Sequence, residues 1–292
     1  MIEYDNKNWV SLLFNFRGSI FRNVTPKVIL MAIFSVLITA IHVFVMPVPQ
    51  ISPMTFTVIG LVLGLLLVFR TNTAYDRYWE GRKMWGMLTN ASRSLAMETM
   101  SYISNDHPDS TRMKRDILNL IIAFPILARQ HLNNCKDMKD IEPLLTSSQI
   151  ERLDRSAHPA VAALAMITQR IGECIQMNIL SVHLSPSLDS RVVTLSDVLG
   201  ACERIRNTPI PIAYVLHLKR MIFIFCIFMN FALIRDHGWL TVPTVAIISY
   251  AFNGIEDIGV EIEDPFGDDP NDLPLEEICN GIKIVVNSIA EI

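Results

Sequence analysis

Residues 51–69 read ISPMTFTVIGLVLGLLLVF, and no side chain in this run is charged. Its length is close to the ~20 residues that an α-helix needs to cross the hydrocarbon core of a bilayer. The next stretch, residues 70–85, reads RTNTAYDRYWEGRKMW. It keeps the helical spacing of large apolar residues and has no turn signal apart from Gly81. We therefore predict one long helix that spans the membrane and continues into the cytosol.

Two faces of this span differ in side-chain size. Gly60 and Gly64 form a small-xxx-small pair, which allows a neighbouring helix to pack closely. Leu61, Leu65 and Phe69 recur every four residues and form an apolar stripe centred roughly 120° from the glycine face. Such a stripe is typical of a surface that faces lipid or the protein core. The alternative is that identical helices from several subunits surround an axis, where the stripe would line a pore that closes by dewetting.

The composition indicates a membrane protein with a substantial polar part. Hydrophobic residues make up 51% of the chain, and the mean hydropathy of +0.34 is too high for an ordinary soluble domain. A formal net charge of -4 and the absence of basic clusters argue against a nucleic-acid partner. The five cysteines are scattered without CxxC spacing, which favours buried thiols in a reducing compartment over disulfides or a zinc site.

Three further apolar runs are candidate spans, although the second and third are shorter than ~20 residues. They are residues 28–46, 221–234 and 240–255. Basic residues flank the first two spans on the side away from the proline-broken loop 47–53, which places both ends of that hairpin inside the cell. We predict four spans in the cell inner membrane, with both termini cytoplasmic and an interfacial helix within residues 1–27.

Four regions follow along the chain. They are residues 1–69, with the interfacial helix and the first two spans; 70–207, a cytosolic helical region; 208–255, with the third and fourth spans; and 256–292, an acidic loop and a C-terminal cytosolic helix. The cytosolic region has polar breaks at 105–109, 136–143 and 185–190, and residues 160–184 have a strongly helical pattern. Pro125 lies in the helical run 111–134 and predicts a kink there rather than two elements. No strand pattern is present, so the predicted fold class is all-α, with four transmembrane helices and a large cytosolic helical bundle.

Residues 256–277 carry a dense set of carboxylates, which repel one another unless they are solvated or neutralised by a hard cation. Two interpretations remain open. The segment is either a solvated turn that begins the last helix with Asp272, Pro274, Glu276 and Glu277, or a divalent-cation loop. The sequence contains no GxSxG, HExxH or glycine-rich phosphate loop, and its histidines are isolated, so we predict no catalytic site.

Three separated motifs resemble the bestrophin family of ion channels. They are FRGSIF at residues 16–21, DRYWE at 76–80 and EDPFGDDPNDLP at 263–274. They occur in the same order as in the family and extend over nearly the whole chain. The short sequence after the acidic segment is similar to the bacterial branch of the family.

The resemblance implies a homopentamer around a central pore, with a hydrophobic neck above a wide cytosolic vestibule. Its neck positions correspond to Leu61, Leu65 and Phe69, and its lower aperture corresponds to Ile179. In animal members the acidic segment forms a calcium clasp. The candidate metal ligands here are Asp264, Asp268, Asp269 and Asp272, and the cofactor would be a divalent cation, calcium or zinc.

The combined expectation is an ion channel and not an enzyme, with membrane lipids, permeant inorganic ions and other copies of the chain as its partners. The net charge of -4 per subunit favours conduction of monovalent cations. The alternative is an anion channel of the same architecture, as in the animal members. A second alternative is a membrane-bound helical enzyme or scaffold.

Overall fold

The computed structural model describes residues 18–291, and every regular element in that range is helical. The helices are α1 (Phe21–Phe44), α2 (Pro53–Tyr102), α3 (Ser110–Leu132), α4 (Ser147–Asp154), α5 (Pro159–Gln176), α6 (Ser185–Asn207), α7 (Ile212–His237), α8 (Thr241–Glu261) and α9 (Leu275–Ala290). Two short 3₁₀ helices, Met138–Asp140 and Gly238–Leu240, accompany them. The all-α prediction is confirmed. The predicted interfacial helix lies mostly in residues 1–17, outside the described part.

Helix α2 is the long continuous helix predicted from residues 51–85. It extends over 50 residues and passes through Gly81 without interruption. A Cβ atom at Gly81 would lie 3.1 Å from the ring of Phe266 and 3.1 Å from Cγ of Pro265. Glycine at this position therefore permits close packing and does not mark a turn.

Three helical segments are long and apolar enough to cross a membrane. They are Phe21–Phe44, Pro53–Tyr102 and Ile212–Glu261. The third segment contains two helices, because Gly238 adopts a left-handed φ of 51° between α7 and α8. The four predicted apolar helices are present. By length and hydropathy they form three candidate spans, because α7 and α8 lie in one segment.

The chain divides into two compact units. The first comprises the described residues up to Tyr78 together with Pro209–Asp264 and Asp269–Asp272. Its core contains apolar side chains from α1, α2, α7 and α8: Met31, Leu63, Leu67, Leu218, Ile222, Phe225, Cys226, Met229 and Val245. The ring of Phe225 lies 5.9 Å from that of Phe56 and 5.3 Å from that of Phe252. Aromatic packing thus joins α2, α7 and α8.

The second unit comprises Trp79–Thr208, Pro265–Asp268 and Leu273–Ile292. Its central helix is α3, in which twelve of the sixteen residues from Ile117 to Leu132 are buried. The helix is continuous through Pro125, so the prediction of a single element there is confirmed.

One predicted boundary was wrong. Helix α5 ends at Gln176, and residues 185–190, predicted as a break, form the start of α6. The turn lies instead at residues 177–184, where Asn178 has a φ of 57°. Asparagine tolerates this conformation better than most residues. Pro186 fits the first turn of α6 because the backbone N–H that proline lacks would have no intrahelical partner there.

Candidate functional site

The two faces of α2 differ sharply in exposure within a single chain. Leu61 is 73% exposed, Leu65 53% and Phe69 57%, whereas Leu63 and Leu67 are 1% exposed. The stripe predicted from the sequence is therefore directed away from the core of its own subunit. It is available to lipid or to other copies of the chain, and its role as a neck stays a prediction.

Polar residues continue the exposed stripe. At 100° per residue, Asn72 and Asp76 lie on the same face of α2 as Leu61 and Leu65, and both are exposed. Asp76 is thus the first charged side chain after the apolar stripe on that face. Its spacing of fifteen residues from Leu61 is the sequence signal for this position, because fifteen residues leave a rotation of roughly 60° beyond four full turns.

Two arginines that follow the stripe are held by Glu263. The Arg70 side chain is 1% exposed, and its Nη2 donates to Oε2 of Glu263 at 2.8 Å. Nε of Arg77 donates to the backbone oxygen of Glu263 at 3.1 Å. The second carboxylate oxygen of Glu263 accepts from the backbone N–H of Ile210 at 2.8 Å. Arg70 therefore stabilises the interior of the first unit and contributes no positive charge to the exposed stripe.

The glycine pair on α2 has two different environments. A Cβ atom at Gly60 would lie 3.3 Å from the ring of Phe225, so this glycine permits close packing of α2 against α7. A Cβ atom at Gly64 would have no described atom within 4 Å. The predicted close packing thus occurs at Gly60 within the chain, and Gly64 leaves room for a neighbour.

Ile179, the predicted lower aperture, is 5% exposed in a single chain. Its backbone is fixed on both sides, because its oxygen accepts from Ser104 N at 2.8 Å and its N–H donates to Cys174 O at 3.1 Å. Val182 in the same turn is 63% exposed. A side chain that lines an axis shared by several subunits must be exposed in one subunit, and Val182 meets that requirement better.

The acidic segment forms a hydrogen-bonded turn around Asp272. Oδ2 of this buried carboxyl accepts from Asp269 N at 2.7 Å, and Asp272 N donates to Asp269 O at 3.0 Å. Burial, together with the nearby carboxylates of Asp269, Asp264 and Glu261, raises the pKa of Asp272 to about 6. The backbone hydrogen bond from Asp269 opposes this shift.

Other residues of the segment already have polar partners. Nδ2 of Asn271 donates to Gly18 O at 2.9 Å and to Glu261 Oε1 at 2.8 Å. Oδ1 of Asp268 accepts from Asn133 Nδ2 at 2.9 Å. Glu276 and Glu277 lie in the first turn of α9, as the solvated-turn interpretation expected. The metal site at Asp264, Asp268, Asp269 and Asp272 stays a prediction.

A cluster that the sequence did not reveal lies in the second unit. Nε2 of His131 lies 2.8 Å from Oε1 of Glu203, and Nε2 of His158 lies 2.7 Å from the same oxygen. The centroids of the two imidazole rings lie 4.0 Å apart, and the ring planes are inclined by 35°. Burial and the neighbouring His158 lower the pKa of His131, an effect that the Glu203 carboxylate only partly offsets. In residues 18–291 this is the one group of three such side chains whose ligand atoms lie within 4.8 Å of one another.

Four of the five cysteines are buried and Cys135 is exposed, so the expectation of buried thiols is wrong for Cys135 alone. Burial raises the pKa of Cys174 to about 11, and the pKa of Cys202 and of Cys279 to about 12. These three thiols are therefore protonated and unreactive at neutral pH.

The family described as Bacterial/Fungal Bestrophin protein matches residues 1–288. A voltage-dependent anion channel-forming protein from Nostoc sp. (strain PCC 7120) is 37% identical over 287 residues, which cover 98% of this chain and 93% of the relative. The voltage-dependent anion channel-forming protein YneE from Escherichia coli (strain K12) is 34% identical over 289 residues, covering 97% of this chain and 92% of the relative.

Solved structures share the fold. A bacterial bestrophin homologue from Klebsiella pneumoniae superposes with a TM-score of 0.84 at 28% identity, covering 92% of this chain and 98% of that one. A crystal structure described only as that of a membrane protein, in a variant with one substitution, gives a TM-score of 0.85 at 28% identity, with the same coverage of 92% and 98%.

Proposed function

Because this chain belongs to the bacterial and fungal bestrophin family, it is a membrane ion channel and not an enzyme, and we propose that it conducts anions. We choose anions because two relatives that match this chain over nearly their whole length share the name voltage-dependent anion channel-forming protein. The cation preference expected from net charge is therefore the second candidate.

We infer that the pore surface is the exposed stripe of Leu61, Leu65 and Phe69. Its support is the combination of helical spacing with strong exposure in a single chain, since side chains needed for packing within the subunit would be buried there. A narrow ring of such side chains would exclude water and so gate conduction by dewetting. Five copies of the chain around the axis, as the family resemblance implies, would supply the ring.

Cation conduction has one specific structural observation in its favour. Asp76 lies on the face of α2 that carries the stripe, whereas Arg70 is buried and paired with Glu263. Repetition of Asp76 around an axis would produce a ring of negative charge next to an uncharged neck, and such rings favour cations. The sign of the permeant ion thus depends on whether this ring or other charges dominate.

Reversal potentials of the purified protein in planar bilayers with asymmetric potassium chloride test the proposal. We expect a shift towards the chloride equilibrium potential. A shift towards the potassium equilibrium potential would overturn anion conduction and favour the second candidate. The variant Asp76→Asn should increase the chloride preference in the first case and weaken the potassium preference in the second. Asp189→Asn, which removes an exposed carboxylate from α6, is the matched control.

We further propose that α1, the first part of α2, α7 and α8 are the four spans of a cell inner membrane protein with both termini cytoplasmic. The segment 45–52 between α1 and α2 carries no charge, whereas Arg22 and Lys27 lie in the first turns of α1. Single cysteines introduced into residues 45–52 of a cysteine-free variant should react with an impermeant maleimide added outside intact cells. Labelling only after the cells are opened would reverse the topology.

A further inference from the structure

We propose that His131, His158 and Glu203 bind a transition-metal cation, for which zinc is the best match. The donor set is two imidazoles and one carboxylate, which are ligands that zinc accepts. The site lies wholly in the second unit and is separate from the acidic segment of residues 256–277. It is also independent of which ion the channel conducts.

Three separate elements bring these ligands together. His131 lies in the last turn of α3, His158 is the N-cap residue of α5, and Glu203 lies in α6. The residues are 27 and 45 positions apart in the sequence, and yet both histidine Nε2 atoms lie within 2.8 Å of Glu203 Oε1. Such convergence differs from a local run of charged residues on one solvated helix face.

The two nitrogen-to-oxygen pairs need only a small displacement to match the spacing of ligands around zinc. Bonds of ~2.0–2.1 Å to zinc place tetrahedral ligand atoms about 3.3 Å apart. The present nitrogen-to-oxygen distances are 2.7 Å and 2.8 Å, so each pair would open by roughly half an ångström. The three side chains are 29–31% exposed, which leaves access for water as a fourth ligand.

Two neighbouring groups oppose tight binding and indicate a site of moderate affinity. Nδ1 of His158 accepts from the backbone N–H of Val161 at 3.3 Å and thereby caps α5. Coordination through Nε2 requires the proton on Nδ1, so this long hydrogen bond would be lost. The positive charge of Arg206, whose Nη1 donates to the backbone oxygen of His131 at 3.0 Å, also disfavours a second cation.

Zinc binding to the purified, chelator-treated protein in detergent tests the proposal. Calorimetric titration is carried out in a Cys135→Ser background, because an exposed thiol can itself bind zinc. We expect that His131→Gln, His158→Asn and Glu203→Gln each weaken one zinc site per chain by at least about tenfold. Asparagine at position 158 retains an N-cap acceptor for α5, so the fold is preserved while the ligand is lost. His217→Ala, at an exposed histidine outside the cluster, should leave this binding unchanged.

A zinc-edge anomalous map of the parent protein provides a second readout that requires no variant to fold. A peak within bonding distance of both Nε2 atoms and of the Glu203 carboxylate supports the site. The proposal is overturned if zinc binds with the same affinity in all three variants. It is also overturned if the anomalous signal lies only at the acidic segment, or if no zinc binds and the three side chains form a metal-free hydrogen-bonded cluster.

Discussion

Four of the five leucines in residues 61–67 of α2 form two pairs with opposite environments. Leu61 and Leu65 are mostly exposed, whereas Leu63 and Leu67 are almost completely buried. The four side chains are chemically identical, so the difference in exposure arises only from the direction in which each side chain leaves the helix. The inner pair packs against side chains of its own subunit, and the outer pair is left for a surface outside it.

Side chains on the buried face of α2 stabilise the subunit, whereas those on its exposed face are available to the channel. Within a bilayer, lipid tails are as apolar as leucine, so burial of a leucine between helices stabilises mainly through van der Waals packing. Substitutions on the buried face should therefore affect folding, and substitutions on the exposed face should affect permeation.

The buried face contains the charged side chain of Arg70 as well as leucines. Loss of this charge should have the largest effect on stability. Arg70→Ala leaves Glu263 without its guanidinium partner at 2.8 Å, and breaking a buried pair of this kind costs about 3–5 kcal/mol. Thermal unfolding in detergent should detect the loss. Arg93→Ala, at an exposed arginine of the same helix, is the control and should change the midpoint little. Equal effects of the two substitutions would contradict this difference between the two faces.

The buried leucines should follow. Leu63→Ala or Leu67→Ala removes packed atoms from the core of the first unit and should destabilise it by about 2–5 kcal/mol. Leu61→Ala should cost less than about 1 kcal/mol within the subunit, because its side chain makes few contacts there. The measurement is the unfolding midpoint of each variant. A larger loss for Leu61→Ala would mean that the exposed face carries the stability of the assembly.

A smaller effect on stability is expected at Asp272, whose carboxyl is buried while neighbouring carboxyls are exposed. Its pKa is about 6 in the folded protein and ordinarily 3.8, so the fold favours the protonated form. The resulting destabilisation is absent below about pH 4, grows as the pH rises, and is complete above about pH 6. With divalent cations chelated, Asp272→Asn should thus stabilise the protein by about 1–3 kcal/mol at pH 7 and have little effect at pH 4.

The control for this substitution is Asp189→Asn, at an exposed carboxylate of α6 outside the acidic segment. Unfolding curves recorded between pH 4 and pH 8 distinguish the two variants. A stabilisation by Asp272→Asn that does not depend on pH would show that the buried carboxyl is ionised throughout this range.

The sequence was sufficient to predict the helical fold, the long α2 and the stripe of Leu61, Leu65 and Phe69, because these depend only on composition and on the 100° turn per residue. It did not predict that Arg70 is buried, since an arginine that follows a span is ordinarily an interface residue and its partner Glu263 lies 193 positions away. The cluster of His131, His158 and Glu203 was likewise hidden, because tertiary packing alone brings these residues together.

The central proposal is that the exposed stripe of Leu61, Leu65 and Phe69 lines the pore. Single-channel recording of the triple variant Leu61→Ala, Leu65→Ala, Phe69→Ala tests it directly. The matched control is Leu30→Ala, Leu37→Ala, Phe44→Ala, which removes two leucines and a phenylalanine that are similarly exposed along one face of α1. We predict that the α2 variant has a higher conductance than the parent, because a wider and less apolar ring remains hydrated, and that the α1 variant does not. Unchanged conductance in the α2 variant, or an equal change in both, would assign the stripe to lipid and contradict the account.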